Sequence, residues 1–256
     1  MSEDILTLPP PPADARISYG AANQQFGDLR LPHGRGPHPV VLNIHGGFWR
    51  NKYDLTHAGH LCATLTAKGL ATWNLEYRRV GDDGGGWPGT FRDIVDGYRF
   101  LGQLAEKYSL DKSRVLAIGH SAGGHLALCL AAHEPSIKRA ISLGGVVDLE
   151  KAWNLHLGSN AVRDFLRGTP EEVLQHYQEA DPMRLAIRNA EQWLVHGALD
   201  DIVPADLSRA YCEQKQRQGE NVHLVEIERV GHFDVIDPRS TAWVKVEQTV
   251  VNGTRS

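Results

Sequence analysis

The chain has 256 residues, 41% of them hydrophobic and 23% charged, with a formal net charge of −4. This balance excludes intrinsic disorder, and the lack of a basic excess argues against a nucleic-acid partner. Apolar runs such as residues 39–44 are strand length, far short of the roughly 20 residues of a membrane span, so no membrane partner is expected. The length suits a single domain over residues 1–256.

Residues 1–14, acidic and carrying the prolines of 9–12, predict an extended arm. They lack the basic and apolar regions of a secretory signal. Cys62, Cys129 and Cys212 are widely spaced with no CxxC, which fits reduced thiols and a cytoplasmic location. Residues 17–19 and 28–31 read as a leading antiparallel hairpin. Residues 40–44 are a continuous apolar run, suited to a strand buried on both faces. Over 54–68, Leu55, Ala58, Leu61, Cys62 and Leu65 share one helical face, and Gly69 stops the helix.

Residues 70–75 form the next strand. Thr90 and Asp93 resemble a capping box opening a helix with Phe91, Ile94, Val95, Tyr98, Leu101, Leu104 and Ala105 on its apolar face. Strands follow at 115–118, 140–147, 192–195 and 222–227. Helices are expected at 122–132, 204–218 and 241–251, the last with Trp243, Val244 and Val250 as core contacts. The alternation predicts a mostly parallel α/β sheet flanked by helices. The long helix-rich stretch 151–188 breaks it and reads as a small cap over the strand ends, within the same domain.

The strongest chemical signal is Gly119-His120-Ser121-Ala122-Gly123, set between a strand and a helix. That context is what a nucleophile elbow requires, with Ser121 Oγ exposed at the sheet edge. A serine needs a base, and the base an orienting acid. His196-Gly197-Ala198-Leu199-Asp200-Asp201 follows a later strand and offers Asp200, with Asp201 as rival. Val230-Gly231-His232-Phe233 follows the last strand, and Gly231 gives its loop freedom to present His232. Among 13 histidines only His232 combines chain order, loop position and a preceding late strand. His196 reads as a strand-end residue bonding the acid loop. His125 packs beside the elbow, and His120 is a candidate substrate contact or a packing residue.

Ester or amide cleavage builds negative charge on the carbonyl oxygen, which backbone N–H groups can stabilise. His45-Gly46-Gly47-Phe48-Trp49 ends a strand and lets its backbone approach a substrate closely. One donor is then the Ala122 amide, the other that of Gly47 or Phe48. Trp49 and Trp87, the latter after three glycines, are candidate pocket walls against the simpler reading of core packing. Trp153, with His156 and Phe165, is a candidate roof. Residues 76–79 read as a salt-bridged loop anchor sooner than a charged binding patch. His57 and His60 stand at i, i+3 with no acid at ligand spacing, so no metal is expected, and cleavage through a serine nucleophile would need no cofactor.

HGGFW, GHSAGGH, HGALDDIVP and VGHF, in that order from about residue 17 onward, resemble the α/β-hydrolase superfamily. HGGFW and GHSAGGHLA look like its HGG-type esterases and serine-dependent arylformamidases (kynurenine formamidases). Phe48 stands where those formamidases commonly carry Tyr, and Gly124 where they carry Ala. The resemblance implies an α/β-hydrolase fold and a serine hydrolase acting through an acyl-enzyme on a small acyl or aryl ester. The alternative it implies is an arylformamidase acting on N-formylated arylamines such as N-formylkynurenine. A peptidase reading lacks a propeller or large N-terminal domain, and a non-catalytic binding protein is disfavoured by the complete residue set. A small ester or amide is the expected partner, and a second copy of the chain is left open.

Overall fold

Apolar runs with β-branched residues form the middle of the molecule, because strands buried on both faces need side chains that pack either way. The computed structural model describes residues 3–254. Residues 1, 2, 255 and 256, the ends of the expected domain span and the start of the expected arm, lie outside them. The strands are β1 (Ala15–Ser18), β2 (Phe26–Arg30), β3 (His38–Ile44), β4 (Ala71–Leu75), β5 (Leu110–His120), β6 (Arg139–Leu143), β7 (Glu191–Gly197) and β8 (Val222–Ile227). They make one eight-stranded sheet in the order β1-β2-β4-β3-β5-β6-β7-β8. β1 and β2 are the expected hairpin, and β2 runs antiparallel to β4. All later pairs are parallel, which gives the α/β-hydrolase fold.

The period of two along a strand sorts the core onto two faces. Val40, Leu42 and Ala117 face one apolar layer, and Val41, Leu116 and Ile118 the other. The second layer is closed by α1 (Gly59–Ala67) and α9 (Trp243–Gly253) through Leu61, Leu65, Trp243, Val246 and Val250. The first is closed by α2 (Gly89–Arg99), α3 (Leu101–Tyr108), α4 (Ala122–His133) and α8 (Asp206–Arg217). Each such Leu or Val contributes about 1.5–3 kcal/mol by leaving water.

The chain leaves β3 toward β4 and returns on the other side of β3 as β5. That reversal is a topological switch point, and ligand sites in such sheets open at the strand C-termini beside it. Ile44 pairs with Gly119, so the loops after β3 and β5 emerge side by side.

Three local expectations change. The helix of 54–68 opens as a 3-10 turn, Leu55–Ala58, capped by Asp54 accepting from the Thr56 amide, before α1 begins. Thr90 and Asp93 do not cap α2, whose N-cap is Pro88. Instead the Thr90 hydroxyl donates to the Arg78 carbonyl, and Asp93 takes a fork from the Arg78 guanidinium. Residues 76–79 are thus a loop anchor. Val244 is 61% exposed and Val246 takes its expected place in the core, because Trp243, Val246 and Val250 at i, i+3 and i+7 share one helical face and Val244 lies off it.

The stretch 151–188 carries most of α5 (Leu149–Asn154), all of α6 (Ala161–Leu166) and α7 (Leu174–Ala180). Among the described residues no helix is long and apolar enough to cross a membrane.

Candidate active site

β5 ends at His120 and α4 starts at Ala122, so Ser121 turns the chain within one residue. It does so at φ 54, ψ −118, a state that costs a residue with a Cβ about 1–3 kcal/mol. The surroundings hold it there: the Ser121 amide donates to the Leu143 carbonyl at 2.9 Å, and its carbonyl accepts from the Gly124 and His125 amides. The flanking glycines answer close backbone approach. A Cβ on Gly123 would sit 2.0 Å from the Ile44 oxygen, and one on Gly119 2.1 Å from the Gly123 oxygen.

Asp200 lies just past β7 and is buried, whereas its rival Asp201 is exposed. Asp200 Oδ1 accepts from the Ile202 and Val203 amides at 3.0 and 2.7 Å. Its Oδ2 accepts from His232 Nδ1 at 2.6 Å. His196 Nε2 lies 3.2 Å from the same oxygen and donates to the Val203 carbonyl at 2.8 Å, while its Nδ1 accepts from the Ser208 hydroxyl. Burial alone would raise the Asp200 carboxyl, but the His196 and His232 hydrogen bonds outweigh it and hold it below the usual carboxylate range. With Nδ1–H committed to Asp200, the ring's lone pair is left on Nε2, and His232 lines the same cavity as Ser121.

The left-handed residue of the histidine loop is Arg229, at φ 58, and the Gly231 amide donates to Asp234 Oδ2 at 2.7 Å. The expected strand 140–147 ends at Leu143, because Gly144 turns at φ 54 against the hydrogen-bonded Asp200 and His232. A Cβ there would lie 3.2 Å from Asp200 Oδ2 and 3.4 Å from His232 Nδ1.

In the loop after β3, Gly47, Phe48 and Trp49 all have positive φ, at 115°, 51° and 56°. No acceptor among the described residues takes the amides of Gly47, Phe48 or Ala122. Ala122 is the first residue of α4, where an amide has no partner within the helix. Beneath the loop, buried Glu76 accepts from His45 Nε2 and from the Leu55 and Tyr77 amides, each at 3.0 Å. The Tyr77 hydroxyl donates to the His45 carbonyl at 2.7 Å.

The cavity at these groups measures about 80 Å³. Ser121, His232, His120, Gly47 and Phe48 line it together with Leu6, Tyr53, His57, Ile202 and Phe233. His120 Nε2 donates to the His232 carbonyl at 3.0 Å, which ties the elbow to the histidine loop. Burial, with His232 and His57 nearby, pushes His120 well down, and burial beside His45 pushes His57 to about 3. Both rings are therefore neutral at physiological pH. A wider cleft of about 360 Å³ lies at the N-terminal ends of β5–β8, around Arg114 and Lys138, with none of these groups.

The three tryptophans proposed as substrate contacts do not line this cavity. Trp49 is 0% exposed, stacks on Phe165 at 4.6 Å and donates to His125 Nδ1 at 3.2 Å. Trp87 is buried and stacks on Phe91 at 5.3 Å. Trp153 is half-buried, with its ring 6.4 Å from His156. Large flat rings at a loop root bury more apolar area against the neighbouring helices than a small cavity offers them. Sequence reasoning missed Leu6, Tyr53 and Gly144. None of them sits in a motif, and His57 stood out only as half of a histidine pair. His57 and His60 diverge, the latter facing the Leu8 carbonyl.

A family profile described as BD-FAE matches residues 28–214. Esterase LipC of Mycobacterium tuberculosis is 25% identical over 251 residues, covering 88% of this chain and 61% of that protein. The probable isoprenylcysteine alpha-carbonyl methylesterase ICMEL1 of Arabidopsis thaliana is 25% identical over 249 residues, covering 86% and 50%. The chain thus spans less than two thirds of either relative. Esterase B from Lactobacillus Rhamnosis (HN001) superposes with a TM-score of 0.82 at 18% identity, over 98% of this chain and 88% of that one, a likeness of fold. With the profile spanning well over half of its length, the chain belongs to the BD-FAE family, of α/β-hydrolase type.

Proposed function

We propose that the protein is a serine hydrolase of small carboxylic esters with a short acyl group. The observation that carries this reading is Ser121, held at a strained elbow, sharing one cavity with a His232 that is hydrogen-bonded to buried Asp200. The family membership and the esterase relatives support it. His232 Nε2 takes the Ser121 proton as Oγ forms a bond to the substrate carbonyl carbon. The oxyanion is met by the Ala122 amide and that of Gly47 or Phe48. The alkoxide leaves with the proton from His232, and a water, deprotonated by the same imidazole, hydrolyses the acyl-enzyme. Asp200 keeps the ring in the required tautomer and stabilises its cation.

Cavity size supports a short acyl group. A protein cavity of about 150 Å³ accommodates benzene, and this one measures about 80 Å³. Trp49 and Trp87, the candidate walls that would suit a planar aryl leaving group of the formamidase alternative, are core residues. Three buried, unbridged thiols support a cytoplasmic location.

The test is turnover of p-nitrophenyl acetate through octanoate, and of N-formylkynurenine, by wild type and Ser121→Ala. Short esters should react best, and kcat should fall by roughly 10⁴ or more in the variant. Turnover that survives Ser121→Ala would overturn the mechanism. A strong preference for N-formylkynurenine would overturn the substrate class.

A further inference from the structure

The expected extended arm is instead folded against the reaction site. Residues Glu3–Leu6 form a 3-10 turn in which the Thr7 and Leu8 amides donate to the Asp4 carbonyl. Ile5 is 1% exposed and joins the apolar cluster of Val235, Ile236 and Trp243, the residues that follow the His232 loop. The prolines behind it are fastened too. The Pro11 carbonyl accepts from Arg30 at 2.8 Å, and Pro10 lies so close to Gly59 that a Cβ there would come within 2.6 Å. With Ile5 turned into the core, its neighbour Leu6 faces the cavity of Ser121 and His232.

A second cavity, about 180 Å³, adjoins the first across Ile202, His232 and Phe233. Glu3 borders it, with Asp201, Gly231 and Asp234. The leaving group must sit at His232 to collect its proton, which suits this second cavity. The acyl group must sit where the carbonyl meets both Ser121 and the amides of the loop after β3, which suits the first.

From this we infer that the N-terminal turn is part of the substrate site and that Leu6 is a specificity-determining residue, the wall that limits acyl-chain length. The inference rests on the ester-hydrolase reading of the same cavity. Shortening the wall adds room at the far end of the acyl chain and leaves the reacting atoms where they are. A change of about one methylene in an apolar pocket alters discrimination by roughly tenfold or more.

The experiment uses the full chain with Leu6→Ala and Leu6→Phe. We expect the hexanoate-to-acetate ratio of kcat/KM on p-nitrophenyl esters to rise roughly tenfold in Leu6→Ala and to fall in Leu6→Phe. Profiles along a series of alkyl acetates, which vary only the alcohol, should stay as in wild type. Leu6 is half-buried, so both variants should keep the wild-type melting temperature to within a few degrees. An unchanged ratio in both variants, or a shift confined to the alcohol series, would sink the inference. A wild type that turns over no ester defeats the hydrolase reading instead. Labelling of Ser121 by ethyl and octyl fluorophosphonates then still reads the wall, and a ratio of labelling rates unmoved by Leu6→Ala would refute it.

Discussion

Two segments outside the sheet approach the site from different sides, and they exchange the parts that their sequences suggest. The helix-rich stretch 151–188 looks like a roof, yet it contributes no side chain to the cavity of Ser121. It packs on the outer face of the loop after β3. Phe165 stacks on Trp49, Gly158 abuts Phe48, and Asp164 pairs with Arg50. The proline-rich arm looks like a loose strap, yet Leu6 reaches the cavity. Length and helix content therefore do not say which segment reaches the cavity. What differs is where each segment buries its anchoring side chain: Phe165 against the loop after β3, Ile5 beside the loop that carries His232. The insertion should govern rate through loop position, and the arm should govern selectivity through contact.

The sharpest way to break this contrast is Phe165→Ala. Removing a fully buried ring should cost about 3–5 kcal/mol, read by urea unfolding. It should lower kcat/KM for acetate and hexanoate esters by the same factor, since the loop moves whatever the acyl length. A length-dependent change like that expected of Leu6→Ala would erase the distinction between the two segments.

Asp181 comes next, at the end of α7. Burial and the neighbouring Asp148 push its carboxyl up to about 7, while the Leu149 and Met183 amides donate to it. The unfolded chain ionises near pH 4, so between about pH 4 and 7 the folded state holds the extra proton and stability falls as pH rises. Asp200 has the opposite sign. Its carboxyl is held down in the fold, so its contribution is complete above about pH 4 and is lost as pH drops below that. Asp181→Asn keeps an acceptor for both amides and should flatten the pH 4–7 decline, which amounts to up to about 4 kcal/mol. Urea midpoints at several pH values would reveal it, and parallel curves for variant and wild type would count against the assignment.

Smaller again is the roughly tenfold change in acyl-length ratio from Leu6→Ala. Smallest is Arg50→Ala. The Arg50–Asp164 pair is partly exposed on both sides, so its loss should cost no more than about 1 kcal/mol and less at high salt. A larger loss of activity than of stability would mean that the pair positions the loop.

Parallel strands, the leading hairpin and the loop positions of Ser121, Asp200 and His232, each just past a strand, were legible in the chain itself. Each depends on short-range chemistry: continuous apolar runs for two-faced strands, glycines where backbones approach within 2.0–2.1 Å of a would-be Cβ, and loops directly after strands. The capping pair Thr90 and Asp93 misled because Arg78, twelve and fifteen residues earlier, competes for both side chains. The tryptophans misled because a ring after a glycine loop can turn either way. Only the packing of α6 and α4 against Trp49, and of Phe91 against Trp87, settles which. Leu6, Tyr53, His57 and Gly144 reach the site through contacts between segments far apart in the chain, and no local pattern encodes such contacts. The sequence by itself set the sheet and placed Ser121, Asp200 and His232 in loops that directly follow its strands. The tertiary structure alone decided which apolar side chains surround them, because that choice depends on which neighbours remove each one from water.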